Sequence, residues 1–302
     1  MQSSMPQLKP MDVTGLLDTM FALYRRNLAL FIGVVAVLQV PVAVLVFLLR
    51  LNSNPQMFTV YHSVDGTGST PTFHPDAIVV TGVSSVATLV VSFFITAALA
   101  RAISRRYLGE PASLEQVYRS IGWSVIARLV AYTFLEIAAV LVLTLIIGGI
   151  TVLLVQIAPA LGALFAVVAS IAAVVALVIA FIRFAFVPQV LVLERTRVFQ
   201  AFRRSWTLVY GSSWRVLGYA LLLSLIVAIT GGILTAVAGV ALAFIGGREG
   251  AALAGAVGAI AGILTEPIRA GGLTLLYYDL RIRKEGFDLE RQVSTMESLG
   301  PA

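Results

Sequence analysis

The stretch LVAYTFLEIAAVLVLTLIIGGITVLLVQI at residues 129–157, followed after APA by LGALFAVVASIAAVVALVIAFIRFAFV at residues 161–187, decides the fold. A helix needs about 20 apolar residues to cross roughly 30 Å of hydrocarbon, and both runs exceed that length. Four more runs of this kind occupy residues 28–49, 77–100, 216–245 and 251–278. The bilayer core holds no water for backbone amides, so only helices or a closed barrel can span it. The runs are continuously apolar and lack the two-residue alternation of a barrel strand. The expected fold is an all-α polytopic membrane bundle of six transmembrane helices.

Arginine placement sets the expected orientation. Arg25 and Arg26 precede the first run, while Arg101, Arg105, Arg106, Arg119 and Arg128 lie between or beside the second and third. Arg195, Arg197, Arg203, Arg204 and Arg215 separate the fourth and fifth, and Arg281, Arg283, Lys284 and Arg291 follow the sixth. The opposite side carries only Arg50 and Arg248. Cytoplasmic loops hold the Lys/Arg excess, which places both termini in the cytoplasm, with a prokaryotic plasma membrane as the expected location.

Composition excludes several classes of function. With 302 residues, 59% of them hydrophobic and 12% charged, little chain is left over for a soluble catalytic domain. The net charge of +6 sits at the membrane boundaries, where each cation attracts anionic headgroups by about 1 kcal/mol, so lipid rather than nucleic acid is the expected partner. The absence of cysteine removes disulfides, thiolate nucleophiles and cysteine metal sites, and leaves the redox compartment open. The first 27 residues show no short apolar core with a cleavage site, so the first span is expected to be retained.

An amphipathic segment precedes each odd-numbered span. Val13, Leu16, Leu17, Met20, Phe21 and Tyr24 recur at helical spacing, as do Leu114, Val117, Tyr118 and Ile121, and then Phe199, Phe202, Trp206 and Val209. Such helices lie in the headgroup plane or pack on the bundle as connectors. Ser113 and Gln116 have the spacing of a capping box just after Pro111. The chain therefore reads as one membrane domain, 1–302, with interfacial helix plus hairpin used three times, at about 12–108, 111–193 and 197–285. Residues 286–302 are expected to form a flexible cytoplasmic tail. Among the outer loops, 158–160 and 246–250 are tight, whereas 52–76, with Pro55, Gly66, Gly68, Pro71 and Pro75, reads as irregular.

Four ionisable residues fall inside the apolar runs: Glu136, Arg183, Glu266 and Arg269. Each costs about 2.5 to 3.5 kcal/mol to insert unless it finds a partner or water. Two readings stay open. The four line an inward-facing polar cavity in the cytoplasmic half of the bilayer, or Glu136 pairs with Arg183 and Glu266 with Arg269 merely to fix packing. Pro41, Pro188 and Pro267 each remove a backbone donor in the same region, and Gly258 and Gly262 form a GxxxG pair suited to close helix contact.

Two segments, VPQVLVLERTRVFQAFRRSWTLVYGSSWRVLG at 187–218 and EPIRAGGLTLLYYDLRIRKEGFDLE at 266–290, resemble the family described as the glycerophosphoryl diester phosphodiesterase membrane domain, which has many stand-alone members of unknown function. The resemblance implies cytoplasmic span ends at Glu194, Arg204, Ser205 and Trp206 and at Tyr278, Asp279, Leu280, Arg281, Arg283, Glu285 and Gly286. It implies no catalysis, because the phosphodiesterase activity of that family belongs to a separate barrel domain of about 250 residues for which this chain has no room. No cofactor or metal is expected: His62, His74, Asp65 and Asp76 match no compact metal motif, and Gly246 to Gly250 lacks both strand and P-loop lysine. Tyr278 and Asp279 lack the second carboxylate of an aspartyl dyad. The expected function is a non-enzymatic scaffold or accessory protein that meets anionic headgroups or a second membrane protein. The alternative is a transporter or lipid-handling protein built around the four buried charges.

Overall fold

The computed structural model describes residues 9–52, 58–62, 69–73, 75–287 and 289. In chain order the elements are α1 (Val13–Arg26), α2 (Leu28–Leu51), β1 (Phe58–His62), β2 (Ser69–Phe73), α3 (Pro75–Tyr107), α4 (Leu114–Arg119), α5 (Trp123–Ile157), α6 (Pro159–Phe184), α7 (Val187–Leu193), α8 (Val198–Val209), α9 (Ser213–Ala243) and α10 (Gly247–Glu285). Six helical segments are long and apolar enough to cross a membrane: Leu28–Leu51, Pro75–Tyr107, Trp123–Ile157, Pro159–Leu193, Ser213–Leu242 and Glu249–Glu285. The chain is a polytopic membrane protein whose spans are all helical.

The exposed surface agrees with that solvent. Phe134, Leu145, Leu153, Leu164, Ile171 and Val174 are all exposed on α5 and α6. In water such an area would drive aggregation, but lipid tails are as apolar as the side chains themselves.

Three features differ from the sequence expectation. The outer loop contains an antiparallel hairpin, β1 with β2, running from Phe58↔Phe73 to His62↔Ser69. The aromatic and β-branched residues of these two segments favour a pleated ribbon over irregular chain; the turn at 63–68, with Asp65, and His74 lie outside the described residues. Span four is interrupted, since α6 ends at Phe184 and α7 begins at Val187, with Pro188 in its first turn. Pro41 and Pro267, by contrast, lie inside α2 and α10, which run through them. The expected tail begins later than residue 286: Gly286 takes a left-handed φ of +64°, and Phe287 folds back to lie buried on the Tyr278 ring, 5.5 Å away. The remainder of 286–302, Leu289 apart, lies outside the described residues. The chain gathers into two compact units.

The first unit gathers residues 121–220 with described residues before 13 and after 272. Its α5 and α6 form a hairpin, and α8 packs on α5, α6 and α7. Ala158 is extended and Pro159 opens α6, where its missing N–H costs nothing. Gly162 makes this turn tight: a Cβ there would lie 2.4 Å from Val155 Cγ2 and 2.7 Å from the Val155 nitrogen.

The second unit gathers described residues of 13–120 and 221–272. In it α2 packs on α3, and α1 and α4 both pack on α2. Leu16 and Met20 of α1 and Val117 of α4 are buried. The capping box is present: the Ser113 hydroxyl accepts from the Gln116 N–H while the Gln116 carbonyl oxygen accepts from the Ser113 N–H, each at 3.3 Å. Two tyrosines staple these short helices to spans. Tyr24 donates to the Leu264 carbonyl at 3.1 Å, and Tyr118 donates to the Val34 carbonyl. Burial pushes the Tyr118 hydroxyl up to about 12, which keeps it protonated as a donor.

The Gly162 contact yields a test. Replacing Gly162 by alanine forces a Cβ onto Val155 backbone and should cost about 1 to 3 kcal/mol through overpacking. Gly148→Ala, where nothing lies within 4 Å, should be neutral or stabilise by up to about 1 kcal/mol through helix propensity. Thermal unfolding in detergent separates the two; equal midpoints would contradict the close approach.

Candidate functional site

Two polar clusters stand out, one in each unit. In the first unit the cluster is built on a helix break. Pro188 has no N–H to offer the turn before it, and the chain leaves helical pairing between Phe184 and Val187. The Ser205 hydroxyl, fully buried on α8, fills the gap by donating to the Arg183 carbonyl at 2.8 Å and accepting from the Phe186 N–H at 3.3 Å. Its neighbours in sequence do different work. Arg204 Nε donates to both Glu194 oxygens at 3.1 Å, while its two terminal nitrogens donate to Glu285. Trp206 lies under Arg183, whose guanidinium carbon is 4.6 Å from the ring centroid.

Glu194 is shared further. Tyr277 donates to it at 2.5 Å, and Arg281 donates to Glu285 at 3.0 Å. Burial works against the charge on Arg204, but hydrogen bonds and attraction from Glu285 and Glu194 outweigh it and raise its pKa. Glu194 caps the end of α7, and the next residue, Arg195, takes φ of 54° in the left-handed region that normally favours glycine. Arg128 answers by donating to the carbonyls of Arg195 and Thr196.

Asp279 forms the second knot of this unit and is 0% exposed. It accepts from the Met11 N–H at 2.8 Å, from Arg215 at 2.9 Å and from Arg283 at 3.0 Å. Arg215 and Arg283 also donate to the Met11 carbonyl. Tyr278 packs against Tyr277 and Phe287.

The second unit holds a groove of about 610 Å³ between α2, α3 and α10. That lies within the range of about 300 to 1,000 Å³ common for ligand sites. One wall is a row of hydroxyls on α3: Thr81, Ser84, Ser85, Thr88, Ser92 and Thr96. These recur every three or four residues and so face one way along roughly 22 Å of helix. Arg50 and Gly255 line one end, in contact with each other, while Gln39 meets Gly262 further along and Glu266 with Arg269 lines the other end. The glycines of α10 remove side chains where the groove needs room. Thr88 and Ser92 donate to carbonyls of their own helix, at 2.8 and 2.7 Å, leaving their lone pairs to the groove. Ser84 is buried, and its hydroxyl has no partner.

The four intramembrane charges therefore divide. Glu266 and Arg269 form an ion pair at 2.7 Å and line the groove. Glu136 and Arg183 do not pair among the described residues: Arg183 turns to Trp206 and Tyr210, and Glu136, exposed on α5, sits beside Tyr132. The expected α5–α6 ion pair fails because α8 packs on α6 and offers flat aromatic faces to the guanidinium. Of the motif residues, Glu194, Arg204, Arg281 and Glu285 meet in one network, Asp279 and Arg283 in the other, and Ser205 and Trp206 brace the helix break beside them. Met11, Tyr277, Gln39 and the hydroxyl row escaped sequence reading, although the three- and four-residue spacing of serine and threonine in span two was visible.

Burial decides which ion pairs matter. Asp279→Ala should strand Arg215 and Arg283 and cost about 3 to 5 kcal/mol, whereas Arg119→Ala, in the exposed pair with Glu115, should cost about 0.5 kcal/mol or less. Chemical or thermal unfolding in detergent measures both, and similar losses would show that Asp279 is not a buried anchor.

No curated protein matches the chain, and no solved structure matches it. The family model that does match spans residues 11–276, taking in the groove, the helix break, Glu194 and Arg204, and stopping one residue before Tyr277. Most of the chain is covered, and the protein belongs to the family described as Domain of unknown function (DUF7847).

Proposed function

We propose that the protein handles an amphipathic molecule with an anionic headgroup, holding or passing that headgroup along the groove of α2, α3 and α10 while the apolar part stays in the bilayer. The observation that carries this reading is the hydroxyl row on α3 between Arg50 and the Glu266–Arg269 pair. A packed scaffold has no need of six aligned hydroxyls in hydrocarbon, where each polar group must be satisfied. Thr81, Ser85, Thr88 and Ser92 are exposed, so the groove is open rather than sealed. Val42, Val46, Leu89, Val91 and Ile95 also line it, giving an acyl chain or other apolar part its own surface. The reading is one of binding and movement, with no covalent chemistry assigned, and it sets the arginine-rich span ends in the cytoplasm.

A second reading, the non-enzymatic scaffold, draws on the first unit. Its ionic networks lock the ends of α7, α8 and α10 together, and Arg203 stands exposed on α8 beside them. Such a face suits anionic lipid or a second membrane protein.

The absence of native cysteine makes the test clean. Single cysteines at Thr88, Ser92 and the lipid-facing Val86 are treated in proteoliposomes with a membrane-impermeant thiol reagent. Thiolates form only where water reaches, so Thr88→Cys and Ser92→Cys should react at least about tenfold faster than Val86→Cys. Adding Gly258→Phe, at a glycine with nothing within 4 Å, should fill the groove and slow both. Equally slow reaction at all three positions would overturn the groove reading and leave the scaffold.

A further inference from the structure

Around the helix break of the first unit, cations and carboxylates do not balance. Glu194 and Glu285 are taken up by Arg204, Arg281 and Tyr277. Arg183 and Lys284 remain, and no carboxylate lies within 4.0 Å of either among the described residues. Both converge on the C-terminal end of α8. The Arg183 guanidinium carbon lies 4.6 Å from the centroid of Trp206 and 5.6 Å from that of Tyr210. Lys284 donates to the Leu208 carbonyl at 2.7 Å and to the Tyr210 carbonyl. The Arg183 charge also acts directly on Lys284.

Each cation is oriented but not used up. Contact with the faces of two rings holds the guanidinium in place by cation–π attraction without consuming its N–H donors. Arg183 Nη1 is buried and has no hydrogen-bond partner among the described residues. Lys284 spends two of its three donors on helix-end carbonyls, which hold it in place, and keeps one. The two like charges repel each other, and Glu285, already engaged by Arg204 and Arg281, offsets this only in part at Lys284. The geometry points to a binding site for a phosphate group between Arg183 and Lys284, in front of Trp206 and Tyr210.

The rings suggest where that phosphate comes from. Trp206 is 46% exposed, Tyr210 69% and nearby Trp214 84%. Exposed tryptophan and tyrosine at the end of a span mark the headgroup layer, where their apolar bodies and polar edges both find partners. A phosphodiester headgroup arriving from the bilayer would reach the two cations with its glycerol and acyl part lying over the rings. The shared chemistry with free phosphate is the same pair of charge-assisted hydrogen bonds. This site belongs to a different unit from the groove and does not depend on it.

Native mass spectrometry of the detergent-purified protein tests the site. Wild type, Arg183→Gln with Lys284→Gln, and Arg119→Gln as an exposed cation of the other unit serving as control are titrated with phosphatidylglycerol, with phosphatidylcholine and with inorganic phosphate. The expected result is phosphatidylglycerol binding weakened by about tenfold or more in the double variant and unchanged in the control, since each charged hydrogen bond is worth at least that factor. A melting curve of each variant without ligand confirms that it is folded; should the double variant fail to fold, Arg183→Lys, which keeps the charge but loses the stacked fork, takes its place and should also weaken binding. Inorganic phosphate displacing phosphatidylglycerol at millimolar concentration, and itself losing affinity in the variant, would assign the site to a soluble phosphate. Identical binding of both lipids and of phosphate by the folded variant and wild type would overturn the proposal.

Discussion

A single guanidinium, that of Arg204, joins the end of α7 to the end of α10, which lies 81 positions beyond Arg204 in the chain. Its Nε faces Glu194 at the end of α7, and its terminal nitrogens face Glu285 in the last turn of α10. An isolated charge near the hydrocarbon boundary is expensive, so each of the three groups is tolerable only while the other two are present. The surroundings of the helix break are organised by this triangle. The break in span four can sit where it does because Ser205, the next residue of α8, is delivered to it by the same anchoring. Among the described residues no carboxylate pairs with Arg183, while Glu194 and Glu285 are engaged by Arg204, Arg281 and Tyr277.

The membrane class was legible in the sequence because a run of apolar residues is a one-dimensional signal. Residues 129–157 and 161–187 need no knowledge of neighbours to be read as a helical hairpin. The Ser113–Gln116 box was legible for the same reason, being complete within four residues. Pairings between elements were not. Antiparallel spans place Glu136 and Arg183 at similar depth, but their rotation depends on what packs against α6, and α8 supplied the partner. Asp279 meets Arg283 four residues on, a spacing visible in the sequence, yet its contact with the Met11 N–H crosses 268 positions and leaves no periodic trace. The segments 187–218 and 266–290, on which the family resemblance rested, contribute nearly every side chain of the network, so motif density pointed to a place even where it named no activity.

The groove is a different case. Its hydroxyls are spaced as plainly as any amphipathic face, but in a span dominated by Val, Leu and Ala they add little to hydropathy and are easily passed over. Serine and threonine can bond to their own helix backbone and so enter hydrocarbon without a partner from elsewhere. That same self-sufficiency lets them wait, part-satisfied, for a polar group that comes and goes. Charged residues cannot do this, which explains why Glu266 and Arg269 hold each other at one end while the length between is lined by neutral groups.

The tie between Met11 and Asp279 also constrains how the protein is made. A nascent chain leaves the ribosome in order, and the hairpin of α5 and α6, whose apolar surface faces lipid rather than protein, can partition into the bilayer as soon as it emerges. The residues around Met11 have by then been waiting for most of the synthesis, and their partner does not yet exist. Only when the end of α10 is threaded into place do the Met11 N–H and carbonyl acquire Asp279, Arg283 and Arg215. Insertion and closure are thus separate events in the life of this molecule. The interval between them is one in which Arg215, already synthesised, has to rely on headgroups, water or a chaperone for the anion that residue 279 will later provide.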